Sequence, residues 1–443
     1  MTKMDGQFLR YKAYGSSLLD KAAGPASSKI FRAMATLSLG SGIAKVISLI
    51  SIPIITRLYS PDDFGILAVF TAAVAILAPL LTLSYHLAVP LPRQASVAGT
   101  LVWLAFFPSA FCAFVLTAIL WTYNFQILSA LSVSALIPYW WLIVIGIFGF
   151  ASFETLSMWA TRERAFGQLS RLNVRQALFG NLVKIAAGVF GAGPIGLMVG
   201  AIVGKSSGTL TLFAANRAAL EGARQRLTIR RLIAVAKRYS SFPLLRFPAN
   251  QLTALGQHFP VVFISTMYGT EIAGQFGLTM LAFALPVTLL AASMSKAYYG
   301  EVAQLTHSQP GAAYHVTKEI VWRMLAISLV PTVFIVLWGP HLFALIFGDE
   351  WSQAGEFARY IAPLLLVQIP GSSIHFIFAI RRKEKTYLYF SAQRFFLITL
   401  ICGLALSLRF TDYQFVYLYS AAMTLHYGIV VIKCIQVSAE RDG

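Results

Sequence analysis

Charge is what this sequence has least of. Only 12% of its 443 residues are Asp, Glu, Lys or Arg, 57% are hydrophobic, and the mean hydropathy is +0.70. A soluble domain carries about 25% charged residues, so a surface mostly wetted by water is excluded. Cysteine is scarce as well. Cys112, Cys402 and Cys434 all fall in apolar runs, and an odd count without a loop cysteine excludes a disulfide framework. Catalytic signatures are missing: there is no HExxH, no metal-ligand cluster and no nucleophile elbow. Neither enzyme chemistry nor a metal or cofactor is expected. Gly204-Lys205-Ser206 resembles the end of a P-loop, but the glycine required five positions before Gly204 is Val199. No apolar signal-peptide core precedes Ile30. The start of the chain is polar and basic (Lys3, Arg10, Lys12, Lys21, Lys29, Arg32), so the first apolar run is expected to serve as its own insertion signal.

What is present is a series of apolar runs, and about 20 such residues span a bilayer as a helix. They predict an all-α polytopic membrane protein with about twelve spans. These run over 34–56, 64–88, 97–121, 139–159, 173–192 and 195–215, then 240–268, 275–297, 320–339, 358–380, 386–408 and 414–436. The predicted organisation is a basic tail (1–32), a first six-helix lobe (33–215), a basic inter-lobe loop (216–239), a second six-helix lobe (240–436) and a short tail (437–443).

The net charge of +18 is placed one-sidedly. With the amino terminus inside, the inner segments hold Arg93, Arg162, Arg164, Arg171, Arg175, Lys296, Lys318, Arg323, Arg381, Arg382, Lys383, Lys385, Arg394, Lys433 and Arg441. The inter-lobe segment adds Arg217, Arg224, Arg226, Arg230, Arg231, Lys237 and Arg238. The outer loops hold Arg57, Arg359 and Arg409, and the acids Asp62, Asp63, Glu271, Asp349, Glu350, Glu356 and Asp412. Lys and Arg collect in cytoplasmic loops, so both termini are expected in the cytoplasm, and no nucleic-acid partner is implied. The 216–239 segment reads equally as an amphipathic interfacial helix or as a solvated loop. A weak repeat marks the two lobes: Leu58–Leu67 (LYSPDDFGIL) aligns with Met267–Phe276 (MYGTEIAGQF), matching Tyr59 to Tyr268, Asp62 to Glu271 and Gly65 to Gly274.

Charges inside the spans are the candidates for function. Lys45, Lys184 and Lys205 are near-central, and Arg246 and Glu154 lie near inner ends. Three central lysines facing lipid would cost about 8–10 kcal/mol, which favours a hydrated interior over snorkelling to the interface; for Arg246 and Glu154 snorkelling reads equally well. A cationic interior suits an anionic substrate such as a diphosphate, bound by Lys45, Lys184, Lys205 and Arg246. Asn250, Gln251, Gln257 and His258 offer sugar contacts or interhelical bonds. Glu154 is the candidate for ion coupling. The stripe Gly196, Gly200, Gly204 and Gly208 is expected to serve close helix packing inside the molecule in preference to a dimer seam.

Two runs carry a family resemblance. Ile54-Ile55-Thr56-Arg57-Leu58-Tyr59-Ser60-Pro61-Asp62-Asp63-Phe64-Gly65 resembles the opening of the polysaccharide-synthesis flippases. Leu345-Ile346-Phe347-Gly348-Asp349-Glu350-Trp351-Ser352-Gln353-Ala354-Gly355, followed by Pro363 and Pro370, is similar to their second hallmark. That family, with its O-antigen and exopolysaccharide lipid flippases, lies within the multidrug/oligosaccharidyl-lipid/polysaccharide exporter superfamily. The resemblance implies two six-helix lobes around a central cationic cavity. It also implies undecaprenyl-diphosphate-linked oligosaccharide as substrate, moved from inner to outer leaflet of the cytoplasmic membrane by alternating access. A polysaccharide polymerase and a chain-length regulator are the further partners expected. Many relatives carry Arg-Tyr-Glu after the second span; Ser84-Tyr85-His86 stands here, and no ion-pair role carries over. The alternatives are a multidrug-extrusion-type exporter, against which the scarcity of intramembrane acids argues, and a scaffold of a glycan assembly complex.

Overall fold

The structure is a computed structural model that describes residues 25–131, 133–308, 311–381 and 383–440. Lys3, Arg10, Lys12, Lys21, Arg382 and Arg441, and the side chains of Lys29, Arg32 and Lys296, lie outside the described residues. The regular elements among the described residues are all helical. The first lobe is α1 (Pro25–Thr56), α2 (Pro61–Thr82), α3 (Ala95–Ala130), α4 (Trp140–Arg162), α5 (Phe166–Val189), α6 (Pro194–Ser206) and α7 (Gly208–Ala215). Two short helices follow, α8 (Arg217–Gln225) and α9 (Ile229–Arg238). The second lobe is α10 (Phe247–Tyr268), α11 (Thr270–Ser308), α12 (Ala312–Phe347), α13 (Ser352–Ile374), α14 (Glu384–Leu408) and α15 (Asp412–Ala439).

Each predicted span overlaps a helix, but α2 stops at Thr82, short of the predicted 88, where Leu83 and Ser84 turn left-handed. Among the described residues, nine helical stretches are long and apolar enough to cross a membrane. The helices α5, α10 and α13 have 24, 22 and 23 residues, long enough to cross at about 1.5 Å rise per residue, but they are more polar than the nine. Large apolar side chains such as Phe114 (72% exposed), Trp121 (73%) and Val330 (72%) stand outward and need lipid as their solvent. By contrast α13 is the axis of its lobe: Phe357, Ile361 and Leu365 are fully buried. Predicted loops differ in two places. The segment 298–319 is largely helical, because α11 and α12 continue past their apolar stretches to Ser308 and from Ala312. The inter-lobe segment forms α8 and α9, which dock on the first lobe. Trp103 Nε1 donates to the Leu220 carbonyl at 3.0 Å, and Tyr85 Oη to the Ala236 carbonyl at 3.3 Å.

The acid-bearing end of the bundle is where the two lobes lock together, and the local sequence dictates how. Ser60 caps α2: its hydroxyl accepts from Asp63 N at 3.2 Å, and the Asp63 carboxylate accepts from Ser60 N at 3.1 Å. Pro61 takes the first helical position, where no amide hydrogen is needed, and Asp62 and Asp63 sit in the first turn, which the helix dipole favours. The chain enters α11 through Gly269, whose φ of +96° favours glycine. These two helix starts cross at Gly65 and Gly274. A methyl group on Gly65 would lie 1.7 Å from the Thr270 carbonyl oxygen, and one on Gly274 1.8 Å from that of Pro61. Thr270 Oγ1 donates to the Asp62 carboxylate across the crossing. The aligned glycines of the sequence repeat are thus a point of close contact between the lobes.

The second hallmark run closes over the first. Trp351, fully buried, donates from Nε1 to the Thr56 carbonyl at 3.0 Å and meets Phe64 edge-on at 4.9 Å between ring centroids. Arg57 donates to the Leu345 carbonyl at 3.2 Å. Gln251, farther along the interface, donates from Nε2 to the Ile76 carbonyl of α2 at 2.9 Å.

Candidate functional site

Beneath this closed end lies a cavity of about 740 Å³. It is bounded by α1, α2, α4, α5 and α6 of the first lobe, and by Gly277, Leu278 and Leu281 of α11. Its polar lining comes from helical periodicity. On α1, Ser41, Lys45, Ser48 and Ile52 follow one another at intervals of three or four; on α5, Asn173, Gln176, Gly180 and Lys184 do the same, with Asn181 beside them. The two polar stripes face each other: Asn173 Nδ2 donates to Ser41 Oγ at 3.1 Å and Asn181 Nδ2 to Ser48 Oγ at 3.4 Å. An apolar core helix would not tolerate such stripes unless they lined a wet interior.

Lys45, Lys184, Lys205 and Glu154 all line this cavity. Lys184 reaches it across a glycine: its Cγ lies 2.3 Å from where a Cβ on Gly200 would be. The backbone beneath it is held by Tyr59, whose hydroxyl donates to the Lys184 carbonyl at 2.7 Å. Gly180 packs against Gly204, a Cβ there falling 2.7 Å from the Gly204 Cα. The glycine stripe of α6 therefore serves internal packing, as expected, and opens the path of Lys184. Lys205 is exposed and sits 5.9 Å from the Phe150 ring centroid, and Gln176 Nε2 donates to its carbonyl at 3.1 Å. Glu154, Lys184 and Lys205 share the lining of this one cavity. Yet among the described residues none of these lysines is ion-paired. The pairs are Arg162–Glu163, Arg217–Glu221, Arg323–Glu319, Arg359–Glu356 and Lys383–Glu440, all outside the cavity. Three ammonium groups against one carboxylate leave the lining net positive.

The remaining candidates lie elsewhere. Arg246 ends a wide π-turn (Phe242–Arg246) and is exposed outside the cavity lining, as is Asn250. The π-turn adds a residue to the helical repeat and so rotates everything before it away from the face that a regular period assigns. Gln257 lines a separate, smaller cavity within the second lobe, and His258 lines neither cavity. His86, between α2 and α3, faces Thr82 Oγ1 at 2.9 Å, and burial pushes its pKa down to about 4. No group of three or more potential metal ligands occurs among the described residues. Asn173, Gln176 and Asn181 were not among the residues the sequence singled out, although their spacing with Lys184 marks the same face.

Two helical lobes around a polar cavity form an arrangement that solved membrane-protein structures share. The chain superimposes on the lipid II flippase MurJ in an inward closed conformation with a TM-score of 0.66, at 11% identity, over 91% of this chain and 89% of that one. A multidrug-resistance MATE family transporter of the MOP superfamily, inward-facing, gives 0.58 at 14% identity, covering 91% and 93%. The eukaryotic MATE transporter AtDTX14 gives 0.51 at 13%, covering 92% and 97%. At such identities the likeness is one of fold. No curated protein matches in sequence. The family description "polysaccharide biosynthesis protein" matches residues 54–356, and the chain belongs to that family.

Proposed function

We propose that this protein is a flippase for undecaprenyl-diphosphate-linked oligosaccharide. It would carry repeat units from the inner to the outer leaflet of the cytoplasmic membrane for O-antigen, capsule or exopolysaccharide synthesis. One observation carries the reading: Lys45, Lys184 and Lys205 share one cavity of about 740 Å³, and among the described residues none of them is paired with a carboxylate. That volume is in the range of about 300–1,000 Å³ that encloses a multi-ring ligand. A single ammonium 4 Å from a phosphate oxygen gains about 4 kcal/mol before desolvation, at an effective dielectric near 20. Ser41, Ser48, Asn173 and Asn181 add donors and acceptors suited to sugar hydroxyls, and the polyprenyl chain would remain in lipid. Family membership supports the glycan pathway, and a polymerase and chain-length regulator are its natural partners.

The acidic end, closed by Gly65, Gly274 and Trp351, is read as the outer gate, with both termini cytoplasmic by the positive-inside distribution. Alternating access would part this contact as the lobes rock. Glu154, beside Lys205, is the proposed coupling group, and Arg246 lies outside the proposed site. The test is complementation of a deletion strain: K45A, K184A and K205A should lose surface polysaccharide at unchanged protein level. Full polysaccharide in all three would overturn the reading. A multidrug-type exporter predicts instead a change in drug susceptibility, and a lining short of acids suits lipophilic cations poorly.

A further inference from the structure

The second lobe holds a cavity of its own, about 200 Å³, between α10, α13, α14 and α15. Sequence alone places Arg394 with the inner loop charges, but it lies within α14 and lines this cavity. Its Nη2 donates to the Gly256 carbonyl at 3.1 Å, and its side chain packs along that backbone, Nε lying 3.8 Å from where a Gly256 Cβ would be. Its Nε is buried and has no acceptor. A guanidinium has five N–H donors, so one carbonyl leaves most of them unspent. No carboxylate lines the cavity, and among the described residues Arg394 forms no ion pair. Opposite stands His426 of α15, 3% exposed, its Nδ1 buried without a partner. Gln257, Ser372 and His375 complete the polar wall.

A fixed cation in a low-dielectric interior without a counter-charge is an unbalanced arrangement, and it is not tolerated where the lobe could simply have packed apolar groups. The polar groups of the wall favour negative charge: a guanidinium, the His426 imidazole, a side-chain amide and a hydroxyl. We infer that this cavity is a binding site for a small inorganic anion of chloride or phosphate size, held by Arg394 with His426, Gln257 and Ser372. Its volume is far below that of the central cavity, so a lipid-linked oligosaccharide does not fit. The same guanidinium repels a metal cation. Bound there, the anion bridges α10, α13, α14 and α15 and braces the lobe. The site is independent of the substrate proposed for the central cavity.

The test uses the full-length protein in detergent. Its thermal midpoint is followed during titration with sodium chloride, bromide or phosphate, against sodium gluconate, a bulky and weakly bound anion, at matched ionic strength. A ligand that binds only the folded state raises the midpoint saturably, here by roughly 2 °C or more. The rise should appear with chloride or phosphate, and the responding salt names the anion. It should survive in K45Q/K184Q/K205Q, which strips the central cavity, and vanish in R394Q. No rise beyond gluconate in the unmodified protein overturns the inference, as does a rise that the triple variant loses and R394Q keeps. Should R394Q not fold, chloride-35 or bromine-81 line broadening on the unmodified and triple-variant proteins decides. Broadening that persists in the triple variant supports the site, and broadening lost there overturns it.

Discussion

Adding one methyl group at Gly65 should open the acidic end of the molecule. The Cβ of G65A would lie 1.7 Å from the Thr270 carbonyl oxygen, and contact with a backbone atom cannot be relieved by a side-chain rotation. Ordinary contact begins near 3.4 Å, so α2 and α11 must part at their starts. Overpacking of this kind costs about 1–3 kcal/mol. Parting the helices also removes the hydrogen bond from Thr270 to the Asp62 carboxylate, worth about 1.5 kcal/mol or more as a bond to a charged group. The sum, about 2.5–4.5 kcal/mol against the closed form, shifts the closed-to-open ratio by roughly two to three orders of magnitude. The assay is a distance measurement between spin labels placed at exposed positions of the two lobes, I195C and E271C, in a C112S background that removes the exposed native cysteine. G65A should add a long-distance population. G42A is the control, because a Cβ at Gly42 meets nothing within 4 Å, and it should leave the distribution unchanged. An unaltered distribution in folded G65A would refute the crossing as the contact that holds the lobes.

Trp351 should be the costliest single residue at that end: W351A is expected to lose about 3–5 kcal/mol of stability from a fully buried indole, and W351F only about 1–2 kcal/mol for the bond to Thr56, both read by thermal unfolding. G200A places a Cβ 2.3 Å from the Lys184 Cγ and 2.8 Å from the Gly180 carbonyl, so it should displace Lys184 and reduce transport about tenfold or more while the protein still accumulates. His86 predicts an acid-dependent term. Its folded pKa of about 4 lies below the ordinary 6.5, so the unfolded chain binds more protons between these values. Its neutral form carries no penalty above pH 6.5, and stability is lost as pH falls from 6.5 toward 4, by about 3 kcal/mol at most. H86N should flatten the pH dependence of the unfolding midpoint in that window, and an unchanged slope would show that His86 is hydrated.

Much of the architecture was legible because lipid imposes a simple rule: helical backbone must be apolar outside and long enough to cross. The same rule made Lys45, Lys184 and Lys205 conspicuous, and they do meet in one cavity. The motif run Ser60-Pro61-Asp62-Asp63 could be read from capping alone, and its helix start is where the lobes cross. What the sequence hid depends on rotation and tertiary contact. Arg246 was displaced from its expected face by the π-turn at Phe242–Arg246. Arg394 read as a loop charge because one arginine in a long helix looks the same at a membrane surface as beside a buried carbonyl. The helical stretch across 298–319 was missed because hydropathy marks where a membrane ends, not where a helix does.

The most direct measurement is the affinity of the purified protein for a short-chain polyprenyl-diphosphate-linked sugar, in the unmodified chain and in K45Q, K184Q, K205Q and the triple variant. Each lysine should contribute a charge-assisted bond of about 1.5–3 kcal/mol, so each single variant should weaken binding about tenfold or more and the triple variant should abolish it. Equal affinity across the series would contradict the account, because the diphosphate would then be held somewhere other than among these ammonium groups.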